Sequence, residues 1–150
     1  MRIPGKSRYA ISAMIDLALH NDVRPLTIAE IAENQRISLS YLEQLFADLR
    51  KSGLVKGTRG PGGGYRLSRG VGEINIAQII LAVDDKAQEL MEDTGNYLPF
   101  EMWGDLSTKI FSYIESISLA DCIANEKAKS SSHASEQPTI SQESADLSPA

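Results

Sequence analysis

Two groups of residues carry chemistry beyond what a fold alone requires. The first is RGPGGGY at 59–65, where Gly60, Gly62, Gly63 and Gly64 and one proline lie between Arg59 and Tyr65. Lys56 precedes it and Arg66 and Arg69 follow, so positive charge surrounds a glycine-rich tip. The second is the polar set Ser38, Ser40, Tyr41, Glu43, Gln44, Arg50 and Lys51. Glycine-rich loops cradle phosphates in nucleotide-binding proteins, but a P-loop needs Gly-Lys-Ser/Thr and then a helix. A dinucleotide fingerprint needs a helix there as well. The glycines here run into YRLSR, an alternating strand pattern, so both readings fail. What remains is an outward hairpin tip. Its glycines let the backbone lie close to another surface, and Arg59 can enter a narrow, strongly negative minor groove. In the second set Gln44 suits adenine, Glu43 suits the cytosine amino group, and Arg50 and Lys51 suit phosphates.

The elements that would position these groups follow from periodicity. Residues 4–21 read as a helix with a broad apolar face. Thr27 and Glu30 form a capping box ahead of a short helix ending near Gln35, with Ile28, Ile31 and Ala32 inward. After the turn RIS, a second helix buries Leu42, Leu45, Phe46 and Leu49 and ends at Gly53. Ser38 or Ser40 caps it, and Ser40 with Glu43 would form a second capping box. Glu43 therefore has two readings, a cap or a filter that tolerates only sites offering a cytosine. Two short helices with an exposed polar start to the second make a helix-turn-helix. LVKGT and YRLSR supply a hairpin wing. Asn75 caps one more helix, and a clear helix follows from Met102 to Ile117. Its seam of Trp103, Leu106, Ile110, Ile114 and Ile117 suits a partner helix.

The expected architecture is mainly α with a small β-hairpin: a winged helix-turn-helix domain over 1–83, a variable stretch at 84–100, dimerisation helices at 101–125 and a disordered tail at 126–150. The tail follows from its Ser, Glu, Ala and Pro content. The net charge of −5 conceals an asymmetry. Residues 1–70 hold 11 Lys/Arg and 6 Asp/Glu, a net of +5, while the remainder holds 4 and 14, a net of −10. A basic working half implies an anionic partner. The chain lacks a long apolar run and the features of a signal peptide, so a cytoplasmic protein without membrane contact is expected.

Enzyme chemistry finds no support, because no nucleophile–base pair or paired carboxylates can be assembled. Cys122 is the single cysteine, so an internal disulfide and cysteine-rich metal sites are excluded, and it reads as a small core residue. His20 and His133 stand apart and read as surface residues. The acidic cluster Glu89, Glu92 and Asp93 reads as solvated surface rather than a metal site.

RYAISAMIDLAL, ISLSYLEQLFADLRKSGLV and RGPGGGYRL together resemble the iron–sulfur cluster regulator family, the IscR-like winged-helix repressors. The match covers 1–84 and resumes at WGDLS and SISLADCI. The resemblance implies a homodimer joined through the long C-terminal helix, with two wings and two recognition helices on double-stranded DNA with two half-sites. It implies that Ser38, Ser40, Glu43 and Gln44 lie at the major groove, Arg59 in the minor groove, and Tyr9 and Lys56 near the backbone. The family carries a 2Fe-2S cluster on three cysteines and one histidine between the helix ending near Val83 and the one containing Trp103. Here DDKAQELMEDTGNYLPFEMW fills that stretch and holds neither residue type, with Tyr97 and Phe100 where the last cysteine and the histidine would fall. No cofactor is therefore expected. Three readings stay open: a cluster-independent regulator, a sensor of another signal through 84–100, or a cluster on atypical ligands. A winged-helix protein-interaction module without DNA is the alternative from another class.

Overall fold

The structure is a computed structural model that describes residues 5–87 and 100–134, with side chains of 5–87 and 104–132. Glu89, Glu92, Asp93, Tyr97, the Phe100 and Trp103 side chains and the tail beyond residue 134 lie outside the described residues.

The elements run α1 (Gly5–His20), α2 (Ile28–Gln35), α3 (Leu39–Lys51), β1 (Val55–Thr58), β2 (Gly64–Leu67), α4 (Ile76–Val83), α5 (Phe100–Glu115) and α6 (Leu119–Ala134). This is the expected mainly α architecture with one antiparallel hairpin. Local chemistry sets several boundaries. The Thr27 hydroxyl accepts from the Glu30 N–H at 3.2 Å while the Glu30 carboxylate accepts from the Thr27 N–H at 2.8 Å. Asn75 with Gln78, and Ser118 with Asp121, repeat the device at the starts of α4 and α6. Gly53, at φ 74°, carries the chain out of α3. Arg36 does the same after α2 at φ 54°, a conformation that costs an L-residue about 1 kcal/mol.

One core unites the chain. Met14 and Leu17 of α1, Ile31 of α2, Leu42, Leu45, Phe46 and Leu49 of α3, Leu54, Leu67 and Ile79 are all essentially inaccessible to solvent. The same core contains Leu119, the first residue of α6, which is fully buried. Its N–H donates to the Ile74 carbonyl at 2.9 Å, the Ala120 N–H donates to Val71 at 3.0 Å, and the Ile76 N–H donates to Ile117 at 2.9 Å. The start of α6 is thus stitched into the winged domain.

Two C-terminal boundaries differ from expectation. α5 stops at Glu115, so Ile117 lies in the connector and, with Ile114, packs against the core rather than lengthening an open seam. Leu106 keeps 40% of its surface and Tyr113 68%, so apolar surface stays open on this helix. α6 continues to Ala134, so residues 126–134 are helical where the sequence suggested a disordered tail. Lys, Glu and Ala are good helix formers, Lys129 and Glu126 pair at 3.5 Å, and serine hydroxyls donate to carbonyls one turn back. A helix needs no apolar stripe to extend a nucleus already anchored by Leu119.

Candidate nucleic-acid interface

The second helix of the helix-turn-helix, α3, starts at Ser38, whose hydroxyl accepts from the Tyr41 N–H at 3.3 Å. Ser40 lies inside the first turn, so the capping box expected between Ser40 and Glu43 does not form. Ser38 takes the position because its extended backbone, φ −62° and ψ 140°, is the cap conformation. Glu43 is left exposed without a capping duty.

With Leu42, Leu45, Phe46 and Leu49 inward, Ser40, Glu43, Gln44, Ala47, Arg50 and Lys51 are exposed. The helix is gripped on two flanks. On the α1 flank, Tyr9 and Tyr41 meet edge to face with ring centroids 5.9 Å apart, and Lys6 pairs with Asp48 at 3.6 Å. Tyr41 is therefore half-buried rather than wholly outside, because the neighbouring helix offers its ring an aromatic partner. On the wing flank, Phe46 meets Tyr65 at 4.9 Å.

The wing pairs Val55 with Leu67, Lys56 with Arg66, Gly57 with Tyr65 and Thr58 with Gly64. A further bridge seats it on the chain before α2: the Leu26 N–H donates to Tyr65 at 3.1 Å and the Tyr65 N–H to Leu26 at 2.6 Å. The glycines have internal reasons to be there. Gly60 and Gly62 adopt φ 93° and 72°, and a Cβ at Gly63 would strike the Thr58 carbonyl. At Gly64 (φ 153°) a Cβ would lie 2.5 Å from the Leu26 carbonyl oxygen. Their number thus reflects turn geometry and close backbone approach. The ring of charge expected at the tip is thinner than the sequence implied. Arg66 donates to the Asn21 carbonyl and is a strut between wing and α1, while Arg69 follows the strand at the hairpin's base. Arg59 alone stands at the tip.

Arg50, Val55, Lys56, Gly57, Thr58, Arg59, Gly64 and Tyr65 line an open groove of about 540 Å³ between the end of α3 and the wing. Three cations and no carboxylate line it. Among the described residues Arg50, Lys51, Lys56 and Arg59 have no ion-pair partner, whereas Arg24 is held by Glu30 at 2.8 Å. Hydrogen bonding from Arg24, and then from the Thr27 N–H, lowers the Glu30 pKa to about 2. Four cations without an ion pair therefore stand together beside the end of α3 and the wing, where an anion would meet them.

The remaining titratable candidates sit away from this surface. His20 Nδ1 lies 2.9 Å from the Asp16 carbonyl, half-buried at the end of α1 rather than freely exposed. Cys122 packs against the core as expected, and burial, then Asp121, raise its thiol pKa. Three thiolates cannot be assembled from one cysteine, so the donor set of a three-cysteine, one-histidine cluster does not fit this chain. Sequence reasoning missed two features. The strand-like seat at Leu26 left no pattern in a single residue, and the left-handed Arg36 hid because glycine or asparagine usually marks that position.

A family model described as "Rrf2: Iron-dependent Transcriptional regulator" matches residues 3–125. The HTH-type transcriptional regulator IscR of Xenorhabdus nematophila is 46% identical over 134 residues, covering 85% of this chain and 82% of its own. That of Photorhabdus laumondii is 45% identical over the same length and coverage. Among solved structures, T. potens IscR superposes with a TM-score of 0.73 at 35% identity, covering 84% of this chain and 88% of its own. CymR, titled the global cysteine regulator of B. subtilis, gives 0.72 at 29% identity, with 83% and 98% covered.

Proposed function

From the premise that this chain belongs to the Rrf2 family of transcriptional regulators, we propose that it binds specific duplex DNA as a homodimer, independently of an iron–sulfur cluster. The observation that carries the reading is the outer face of α3, polar and exposed, bordered by the unpaired cations Arg50, Lys51, Lys56 and Arg59. A continuous face of this kind fits a major groove, while the wing tip reaches the neighbouring minor groove. Ser38, Ser40, Glu43 and Gln44 read base edges. Arg50, Lys51 and Lys56 neutralise phosphates, and Arg59 enters the minor groove. Tyr9 and Tyr41 stand together at the edge of α3, where their hydroxyls reach the backbone. Gly60, Gly62 and Gly63 shape the tip so that no side chain holds it off the duplex. Two copies, joined through α5 by the exposed Leu106 and the half-buried Ile110 together with Trp103, present two such faces to two half-sites.

Cluster independence rests on the donor set: one cysteine, packed on the core, and no cysteine or histidine between Val83 and Trp103. The Asp84 carboxylate accepts from the Lys86 N–H at 3.0 Å and the Ala87 N–H at 3.3 Å, opening a helical turn where the family's ligand segment begins. Any signal this protein receives enters through residues 84–100. No helix among the described residues is long and apolar enough to cross a membrane, which suits a cytoplasmic regulator.

The test selects an operator from a randomised duplex pool, then measures fluorescence anisotropy with protein purified without oxygen. Iron content and visible spectrum are recorded on the same sample. The expected result is tight, salt-sensitive binding by a colourless, iron-free dimer, weakened at least about tenfold in Arg59→Ala. A brown protein whose affinity changes on bleaching would overturn cluster independence. Failure to enrich any sequence would overturn DNA recognition.

A further inference from the structure

Arg36 is, among the described residues, the one non-glycine residue with positive φ, at 54° with ψ 45°. The turn between α2 and α3 dictates that conformation. The Arg36 N–H donates to Glu33 at 3.3 Å and the Ile37 N–H donates to Ala32 at 3.0 Å, closing α2 through backbone atoms alone. Glycine or asparagine meets this demand with least strain. The arginine side chain makes no hydrogen bond to the rest of the fold among the described residues. It is exposed and has no ion pair among the described residues, even with Glu33 one turn back. It also stands two residues before Ser38, beside the start of α3, where the helix dipole already places partial positive charge. Arg36 is equally the C-cap of α2, whose partially negative end favours a cation, so the two helix dipoles act on its charge in opposite senses. Its exposed guanidinium, without an ion pair, is placed to meet an anion that approaches the start of α3.

We propose that Arg36 is a further DNA contact, holding the backbone phosphate that flanks the N-terminal end of α3. The inference rests on the DNA-binding reading above and adds a residue to it. α3 spans 13 residues, about 20 Å. Arg36 at one end and Arg50 and Lys56 at the other therefore meet different phosphates and fasten the helix at both ends. A phosphate contact sets register and affinity without reading a base.

The experiment compares wild type, Arg36→Gly and Arg36→Lys by anisotropy on the selected operator at 50–200 mM salt. Arg36→Gly keeps the turn and removes the charge, so a thermal midpoint at or above wild type separates lost contact from lost fold. The expected result is at least about tenfold weaker binding at 0.1 M salt. The slope of log K against log salt becomes shallower by about 1 per half-site. Base preference over an operator panel stays unchanged, and Arg36→Lys recovers most of the slope. A wild-type slope and affinity in Arg36→Gly, with wild type binding normally, would overturn the Arg36 contact and leave the DNA reading standing. Absence of DNA binding by wild type would overturn both.

Discussion

Leu119→Ala tests whether the C-terminal helices form a unit of their own or belong to the winged domain. Leu119 is completely buried in the same core as Met14, Leu42 and Ile79, and its N–H is bonded to Ile74. Truncating a fully buried leucine removes the transfer energy of its methyl and methylene groups and leaves a cavity. The cost is about 3 kcal/mol, toward the lower part of the measured range because the site lies beside a connector that can partly collapse. For a domain of this size that is a fall of about 10 °C in midpoint. Urea unfolding is followed by far-UV circular dichroism and by fluorescence of the single tryptophan, Trp103 on α5, at one fixed protein concentration. Both signals should shift together to lower urea, because α5 and α6 unfold with the domain they are stitched to. If the midpoint moves by less than about 0.5 kcal/mol, the size of an ordinary surface substitution, the packing argument is wrong. Two separated transitions in wild type would equally refute a single core.

Four other outcomes are expected. Gly64→Ala should destabilise by about 2 kcal/mol or more and loosen the wing, because its Cβ would lie 2.5 Å from the Leu26 carbonyl; an unchanged denaturation midpoint counts against the seat at Leu26. Ser38→Ala should cost about 1 kcal/mol and Ser40→Ala almost nothing, since only Ser38 caps α3. Glu43→Ala should leave stability unchanged and broaden the set of operators accepted; an equally narrow panel would remove Glu43 as a filter. Glu30 is held at about pKa 2 by Arg24 and the Thr27 N–H, below its ordinary value, so its contribution is present at neutral pH and lost as pH falls toward 2. The stability gap between wild type and Glu30→Gln should therefore close across that acid window, and a gap independent of pH would show that the carboxylate charge is not its source.

By itself the sequence determined whatever repeats over one turn or one strand. The stripe Leu42, Leu45, Phe46, Leu49, the Thr27–Glu30 box, the Asn75 cap and the alternation of the wing are encoded within a few residues, because their hydrogen bonds and faces are local. The charge asymmetry and the missing cluster ligands are properties of composition and needed no fold. Tertiary structure decided the rest. Whether Ser38 or Ser40 caps α3 depended on where the α2–α3 turn ends, and that turn is set by the left-handed Arg36. Arg66 looks like Arg59 in sequence, yet the Asn21 carbonyl lies 45 positions away, and only the fold brings it to the guanidinium. Tyr41 was withdrawn from open solvent by Tyr9, 32 positions earlier. The same holds for Leu119 and Ile117, which read as parts of separate C-terminal helices but close the core of the first domain. Periodicity announces that a side chain is buried; which partner buries it is fixed by the packing of segments far apart in the chain.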